Sequence, residues 1–533
     1  MRSWSLGMAA LCALGLHAQQ GFLPLSRVVD APWTDLMHRY GTPAHSAIRP
    51  YLQEDVAALP GADSALSKAA FPWLQRMTDP TARWRGGPLV DAQAGPSIGD
   101  NDVLKYRAGA GAWLEWSASP RFTFHVDGQY WNETLPNYLD SAARATHVVP
   151  GEGWAEGKPG EARSHYDWNA WMDYKAGEHF HLTLGRGKNF FGEGYRSLFL
   201  SDEAYSYPYF RITTTAWHIR YVNLFALMDD IRGSGGDPTR SKKKFTSMHY
   251  LSWNISKRLN AGLFEAVVWQ DNDPRYPRGF DLSYVNPVIF YRPVEYSLGS
   301  PDNVLLGFAL NAKVGDRTLI YSQLILDEFL LSNIRAGNGW YANKQGLQLG
   351  ATSHDVLGMD GLTLRGEFNY VRPFLYTHSD VRQNYAHHGQ PLAHPYGSNF
   401  WEALVQGQWR KGAWYVSELC SYALMGQDTS AVQGSYGNNI FLPETARPLV
   451  RPGVYASYGF YQGYASHVKV LQNELCLGRI IEPRSGLMLE LAWTFRSQDP
   501  DLGTPLRTNY VRVGLSANLR DRHPLQTVRY VLN

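Results

Sequence analysis

The residues most suggestive of chemistry lie in GRGKNFFGEGYRSLFLSD, residues 185–202, where Lys188 stands among glycines. A loop of this composition could wrap backbone N–H groups around a phosphate. The spacing argues against it. A Walker-type loop needs Ser or Thr after Gly-Lys to hold magnesium, and here Asn189 follows; its first glycine would fall at Leu182. The dinucleotide pattern fails too, because after Gly185 and Gly187 the third glycine position is Phe190. What remains is a glycine-rich loop with Phe190, Phe191, Tyr195 and Phe199, and a basic set of Arg186, Lys188, Arg196 and Arg211. Glycines permit a compact path, and the aromatic rings can pin it. One reading is a structural loop folded into a lumen. The other is a binding loop for an anionic or hydroxyl-rich polymer, with its charged side chains facing water.

A second constellation lies in residues 425–466, with Tyr436, Phe441, Tyr455, Tyr458, Phe460, Tyr461 and Tyr464 beside Arg447 and Arg451. Aromatic faces suit sugar rings, whose C–H faces stack while neighbouring polar groups bond the hydroxyls. Tyrosine also supplies contact area at low entropic cost, so loop-to-loop packing accounts for the same residues. Signs of catalysis are scarce: neither G-x-S-x-G nor H-E-x-x-H occurs. The acidic groups Asp229–Asp230, Asp271 with Asp273, and Asp327–Glu328 fall at strand ends or in loops, where solvated carboxylates are common. His387, His388 and His394 read as a solvated polar loop rather than metal ligands. The run SKKKF, 241–245, reads as a solvated loop end that could meet lipopolysaccharide phosphates. The chain therefore reads as non-enzymatic, with no cofactor and no metal.

The elements that position these residues follow from composition and pattern. Among 533 residues the net charge is only +2, so bulk electrostatics give no reason to expect a nucleic-acid partner. Aromatics make up 14%, with 50 glycines, a balance that favours β structure. The start, MRSWSLGMAALCALGLHAQQ, reads as a secretory signal peptide cleaved after Ala18. A lipoprotein signal at Cys12 is disfavoured by Leu11 before it. Beyond the leader only Cys420 and Cys476 remain, too few for a disulfide framework and expected to be free thiols, with Cys420 set nearer Leu471 than Cys476. No later run reaches eighteen apolar residues, which leaves a closed barrel as the way to span a membrane.

Alternation supports that route. In RFTFHVDGQYW, residues 121–131, Phe122, Phe124, Val126 and Tyr130 share one face and Thr123, His125, Asp127 and Gln129 the other. The greasy faces repeatedly end in Trp or Tyr, as at Trp116, Tyr130, Trp253, Trp409 and Trp493, which is the signature of interfacial girdles. Short and long connections nearly alternate, as tight inner turns and long outer loops do. Seventeen alternating runs between 103 and 519, with a weaker one at 86–95, predict an all-β transmembrane barrel of about eighteen antiparallel strands over residues 85–519. Residues 19–84 read as a small helical element, periplasmic or plugging the mouth, and 520–533 as a tail or last strand.

The run GRGKNFFGEGYRSLFLSD…YPYFRITTTAWHIRYVNLFALMDD, with HSAIRPYL and VVPGEG upstream, resembles the Wzi-like capsule-assembly barrels of Bacteroidota, a group that includes RemB-type gliding-motility proteins. The resemblance implies an eighteen-strand outer-membrane barrel with N-terminal helices. It also implies a role in attaching or organising surface polysaccharide, or in surface motility. Three functions follow as expectations: a glycan anchor in contact with membrane lipid and lipopolysaccharide; a porin for small polar solutes; or a structural partner of gliding or secretion proteins.

Overall fold

The computed structural model describes residues 21–62, 82–98, 103–158, 160–272, 279–290, 302–328, 330–429, 434–463 and 466–520. The expected leader, residues 63–81 of the expected helical element, Asp273, Tyr464 and the tail beyond 520 lie outside these residues. The described chain forms a closed barrel of eighteen antiparallel strands, each paired with its sequence neighbours and the last closing on the first. They are β1 Trp84–Ile98, β2 Val103–Ser119, β3 Phe122–Glu133, β4 Arg163–Ala176, β5 Phe180–Gly187, β6 Tyr207–Ala216, β7 Ile219–Asp230, β8 Lys242–Asn254 and β9 Leu259–Gln270. Then come β10 Asn303–Val314, β11 Thr318–Leu326, β12 Gln345–His354, β13 Leu362–Val371, β14 Phe400–Lys411, β15 Trp414–Gln427, β16 Ser466–Glu482, β17 Leu487–Pro500 and β18 Leu506–Ala517. Among the described residues no helix is long and apolar enough to cross a membrane.

The wall sorts its side chains by period two. Leu114, Met172, Leu184, Leu310, Leu349, Val405, Leu491 and Val513 form an exposed apolar band, and Trp84 stacks on Trp116 at the tight-turn rim, 5.2 Å between centroids. The lumen face carries Glu115, Asp127, Asp167, Gln348, Glu367, Glu402 and Arg512, all buried. The weak run at 86–95 belongs to β1, which pairs with both β2 and β18. Its alternation is blurred by Gly86, Gly87 and Gly95, which lie against neighbouring strand atoms.

Cys420 pairs with Asn473 across β15 and β16, and Cys476 with Ser417. Both are free. Cys420 stands on the outward parity of β15, beside exposed Tyr422, whereas Cys476 lies on the lumen parity of β16, between Glu474 and Gly478. The wall separates the two sulfurs, so no bond can form without moving a strand. Both thiols are expected to react with maleimide in denaturant without reductant; a chain that takes label only after reduction would refute this.

Candidate functional site

The 187–207 connection does not rise from the rim. It dives into the lumen, and every residue from 189 to 207 is buried. Phe190 and Phe191 pair as a short strand with Arg49 and Ile48 of the N-terminal segment. The Phe191 ring stacks on Tyr250 of β8 at 5.1 Å, and Phe199 on Phe264 of β9 at 4.9 Å. Phe199 sits over Gly307 of β10, where a Cβ would approach its ring to 2.5 Å. A second connection, 371–400, packs against this one. Tyr376 donates to the Leu198 carbonyl at 2.8 Å, and Ser201 N–H to that of Leu392 at 2.7 Å.

The glycine-rich turn does cradle an anion, and that anion is the protein's own. The Glu367 carboxylate of β13 accepts the backbone N–H groups of Tyr195, 2.7 Å, and Arg196, 3.1 Å. It also accepts from Tyr321 Oη and Asn369 Nδ2, both at 2.9 Å. Gly194 has to be glycine for this approach, since a Cβ there would lie 2.4 Å from a Glu367 oxygen. The signal that suggested a phosphate loop thus reports backbone held open for an internal carboxylate.

This corrects the expectation of a basic patch facing water. Arg196 is 1% exposed and forms ion pairs with Glu203 at 2.9 Å and Glu402 at 3.2 Å. Lys188 donates to the carbonyls of Gly151 and Asp202, each at 3.0 Å, and burial pulls its pKa below the usual lysine range. Arg211, on the lumen face of β6, donates to Asn189 Oδ1 at 3.0 Å and lies over the Phe22 ring. Arg186 stands on the outward parity of β5 near its end, where it covers the Trp168 and Tyr205 rings and pairs with Asp167 at 3.1 Å. Tyr195 packs with Leu404 and Leu419, under the Arg27 guanidinium. Phe190 lies beneath Arg49. Each group already has a partner inside the fold.

The tight-turn mouth is filled by residues 21–62, with helix α1 Arg27–His38 and the short α2 Gln53–Ala57. The seat runs around the wall. Gln53 meets Glu115 of β2, Glu54 meets His181 of β5 at 3.0 Å, and Asp55 meets Arg220 of β7 at 2.8 Å. Lys313 of β10 donates to the carbonyls of Met37, Arg39 and Thr42, satisfying the C-terminal end of α1. His38 lies 3.0 Å from His354 of β12, and burial holds its pKa below the ordinary histidine value despite nearby Glu193. Arg410 of β14 bonds the Val28 carbonyl. After β18 the chain turns into the same lumen, where Arg520 is bound by Asp127 and Asp167. A cavity of about 80 Å³ remains beside β3 and β4, lined by His125, Trp131, Asn169, Trp171 and Lys188, room for a few waters.

Glu133, Glu152 and His165 converge closely enough to hold a cation, a cluster the sequence did not reveal because its members come from β3, β4 and the loop between them. Arg107 of β2 already occupies it, donating to Glu133 at 2.8 Å and Glu152 at 2.9 Å. His387, His388 and His394 were expected in solvent and are instead buried. His387 Nδ1 accepts the Asp229 N–H at 2.9 Å, and His394 bonds Glu402 at 2.8 Å. In the 241–245 run, Lys243 pairs with Asp229 at the rim, while Lys244 is buried and donates to Asn384.

The exposed aromatic surface lies on the 427–466 connection. Tyr455, Tyr458 and Tyr461 are 42%, 58% and 46% exposed, and Arg451 is exposed beside them on the small hairpin Leu449–Arg451 and Val454–Tyr455. The connection leans on the 326–345 loop, with its helix α3 Leu331–Ala336. Tyr461 Oη donates to the Gly337 carbonyl at 3.0 Å, and the Gly459 and Phe460 N–H groups to Asn338 and Gly339. Phe460 is buried, and Arg447 lies 3.3 Å from the Tyr341 ring centroid. The loop therefore divides: Phe460 and Arg447 pack inward, and the three tyrosines face solvent.

No protein-family model matches the sequence, and no curated protein matches it. Among solved structures, the chain is similar to Wzi, an outer membrane protein involved in group 1 capsule assembly in Escherichia coli and described as a carbohydrate-binding β-barrel. The TM-score is 0.57 at 14% identity, over 93% of this chain and 99% of that one. OprD of Pseudomonas aeruginosa overlaps more loosely, with a TM-score of 0.42 at 10% identity, over 81% of this chain and 94% of that one. At 14% identity the likeness to Wzi is one of fold, and the fold is that of an outer-membrane β-barrel.

Proposed function

We propose that this protein resides in the outer membrane and anchors or organises surface polysaccharide through the exposed loop face of Tyr455, Tyr458, Tyr461 and Arg451. The observation that carries the reading is the division of the loops. The long connections at 187–207 and 371–400 are spent filling the barrel, and the 427–466 connection leaves Tyr455, Tyr458 and Tyr461 in solvent. A filled lumen supports anchoring over passage of solutes, and the fold shared with a carbohydrate-binding barrel agrees with it. If each ring's contact with a sugar face is taken as comparable to an aromatic pair, it contributes about 0.5–1.5 kcal/mol. Tyr455→Ala with Tyr458→Ala is therefore expected to weaken binding of purified surface polysaccharide about tenfold, with the barrel still heat-modifiable on gels. Tyr461 is left intact because its hydroxyl holds the neighbouring loop. Unchanged binding in the double variant would remove this surface from the mechanism. Swelling of proteoliposomes in small sugars would favour the porin reading, and co-purification with secretion or gliding proteins but no glycan would favour the structural-partner reading.

A further inference from the structure

Across β7, β8 and β9 the wall is turned inside out. Its lumen face is apolar, with Val222, Leu224, Met248, Tyr250, Phe264 and Ala266 packed under the inserted loop. Its outward face carries a transverse row of polar side chains, Asn223, His249 and Glu265, directly opposite one another in register, with Ser247 above. All four are buried although they point away from the lumen. His249 lies in mid-strand, between Trp253 near the tight turn and Phe245 toward the other rim, at the depth where the neighbouring wall shows its apolar band. Bare polar groups there would face hydrocarbon with no water to satisfy them.

Residues 279–290 of the β9–β10 connection cover the row. Ser247 Oγ donates to the Tyr284 carbonyl at 2.8 Å, Tyr221 Oη to that of Pro287 at 2.6 Å, and Trp269 Nε1 to that of Gly279 at 3.4 Å. Glu265 accepts the Phe290 N–H at 2.9 Å. Within the segment, Asp281 and Asn286 accept the N–H groups of Ser283 and Val288. Tyr221 is level with Leu263 of β9 through Leu251. From Leu263 up to Trp269 is about 20 Å of strand, about 15 Å of depth at the usual tilt, so the segment descends more than half of an apolar band that is about 25 Å tall in such barrels. Its outer side is Phe280, Leu282, Val288 and Phe290, with Leu282 78% exposed, and Ser283 is the one exposed polar side chain in the segment.

We propose that residues 279–290 form a strap embedded in the bilayer, apolar side toward the acyl chains, seated on the wall by Ser247 and Glu265 of the outward row and by Tyr221 and Trp269 beside it. The row and the strap explain each other. Irregular backbone is tolerated at this depth only where protein buries it, and the wall covers the inner side of the segment, bonding the Gly279, Tyr284 and Pro287 carbonyls and the Phe290 N–H. The surface is therefore a contact for lipid hydrocarbon, although loop length alone would place it in water.

The test uses the full chain in proteoliposomes, with Cys420→Ser and Cys476→Ser as background and an environment-sensitive fluorophore on Leu282→Cys or, as reference, Tyr458→Cys. At 282 the expected result is severalfold stronger quenching by lipids brominated in mid-chain than by aqueous iodide, and the reverse at 458. Stronger iodide quenching at 282 would overturn the proposal, and so would quenching by neither reagent, which would mean protein covers the strap. Ser247→Ala with Tyr221→Phe removes two donors to the strap. It should raise iodide quenching at 282 at least twofold while the barrel stays heat-modifiable; no change would overturn the seating role of the row.

Discussion

Replacing Arg196 with Met is expected to eject the central loop from the lumen while leaving the wall intact. The guanidinium is buried between Glu203 and Glu402 and joined to both. Truncating it takes the arginine charge away from two buried carboxylates, Glu402 keeping His394 and Asn369, a loss of about 3–5 kcal/mol for a broken buried pair. Because the barrel is held by its own ladder of hydrogen bonds, the loss falls on the inserted segment. Hydrogen exchange of residues 187–207 should accelerate by about a hundredfold or more, and protease should reach them. Exchange no faster than in the native chain would mean that Glu367 and the aromatic stacking suffice to hold the loop.

The second large effect is expected from Phe191→Ala. The side chain is fully buried between Tyr250 and Phe264, and removing a buried phenyl ring costs about 3–5 kcal/mol. It also opens a gap between the loop and the β7–β9 wall, the two surfaces that close the lumen on that side. Planar-bilayer recordings should show frequent openings in the variant and a quiet baseline in the native protein. A variant as quiet as the parent would show that the 371–400 connection and residues 21–62 close the lumen without this contact.

The strands were legible because lipid on one side and lumen on the other impose a period of two, and that period survives in sequence wherever both environments are ordinary. Strand β1 was faint because Gly86 thins its outward face while Gly87 and Gly95 thin its lumen face. The row Asn223, His249 and Glu265 was illegible for the opposite reason: it places polar groups on the greasy face, and only a strap from a different part of the chain accounts for them. The loop 185–202 advertised its glycines and charges, yet the groups that give them meaning, Glu367, Glu402 and Gln323, lie more than a hundred residues away. A charged side chain reads the same in sequence whether its partner is solvent or a buried carboxylate, which is why Arg196 looked available and His394 looked solvated.

Residues 21–62 and residues 518–520 both end up inside the cylinder, and the strands that follow the one and precede the other, β1 and β18, form its seam. Zipping that seam therefore traps both segments at once. The order of biogenesis is constrained accordingly: residues 21–62, which precede every strand of the wall, have to wait, without a finished floor to rest on, until that wall has curled around them. A sheet that closed early would leave its own cork outside.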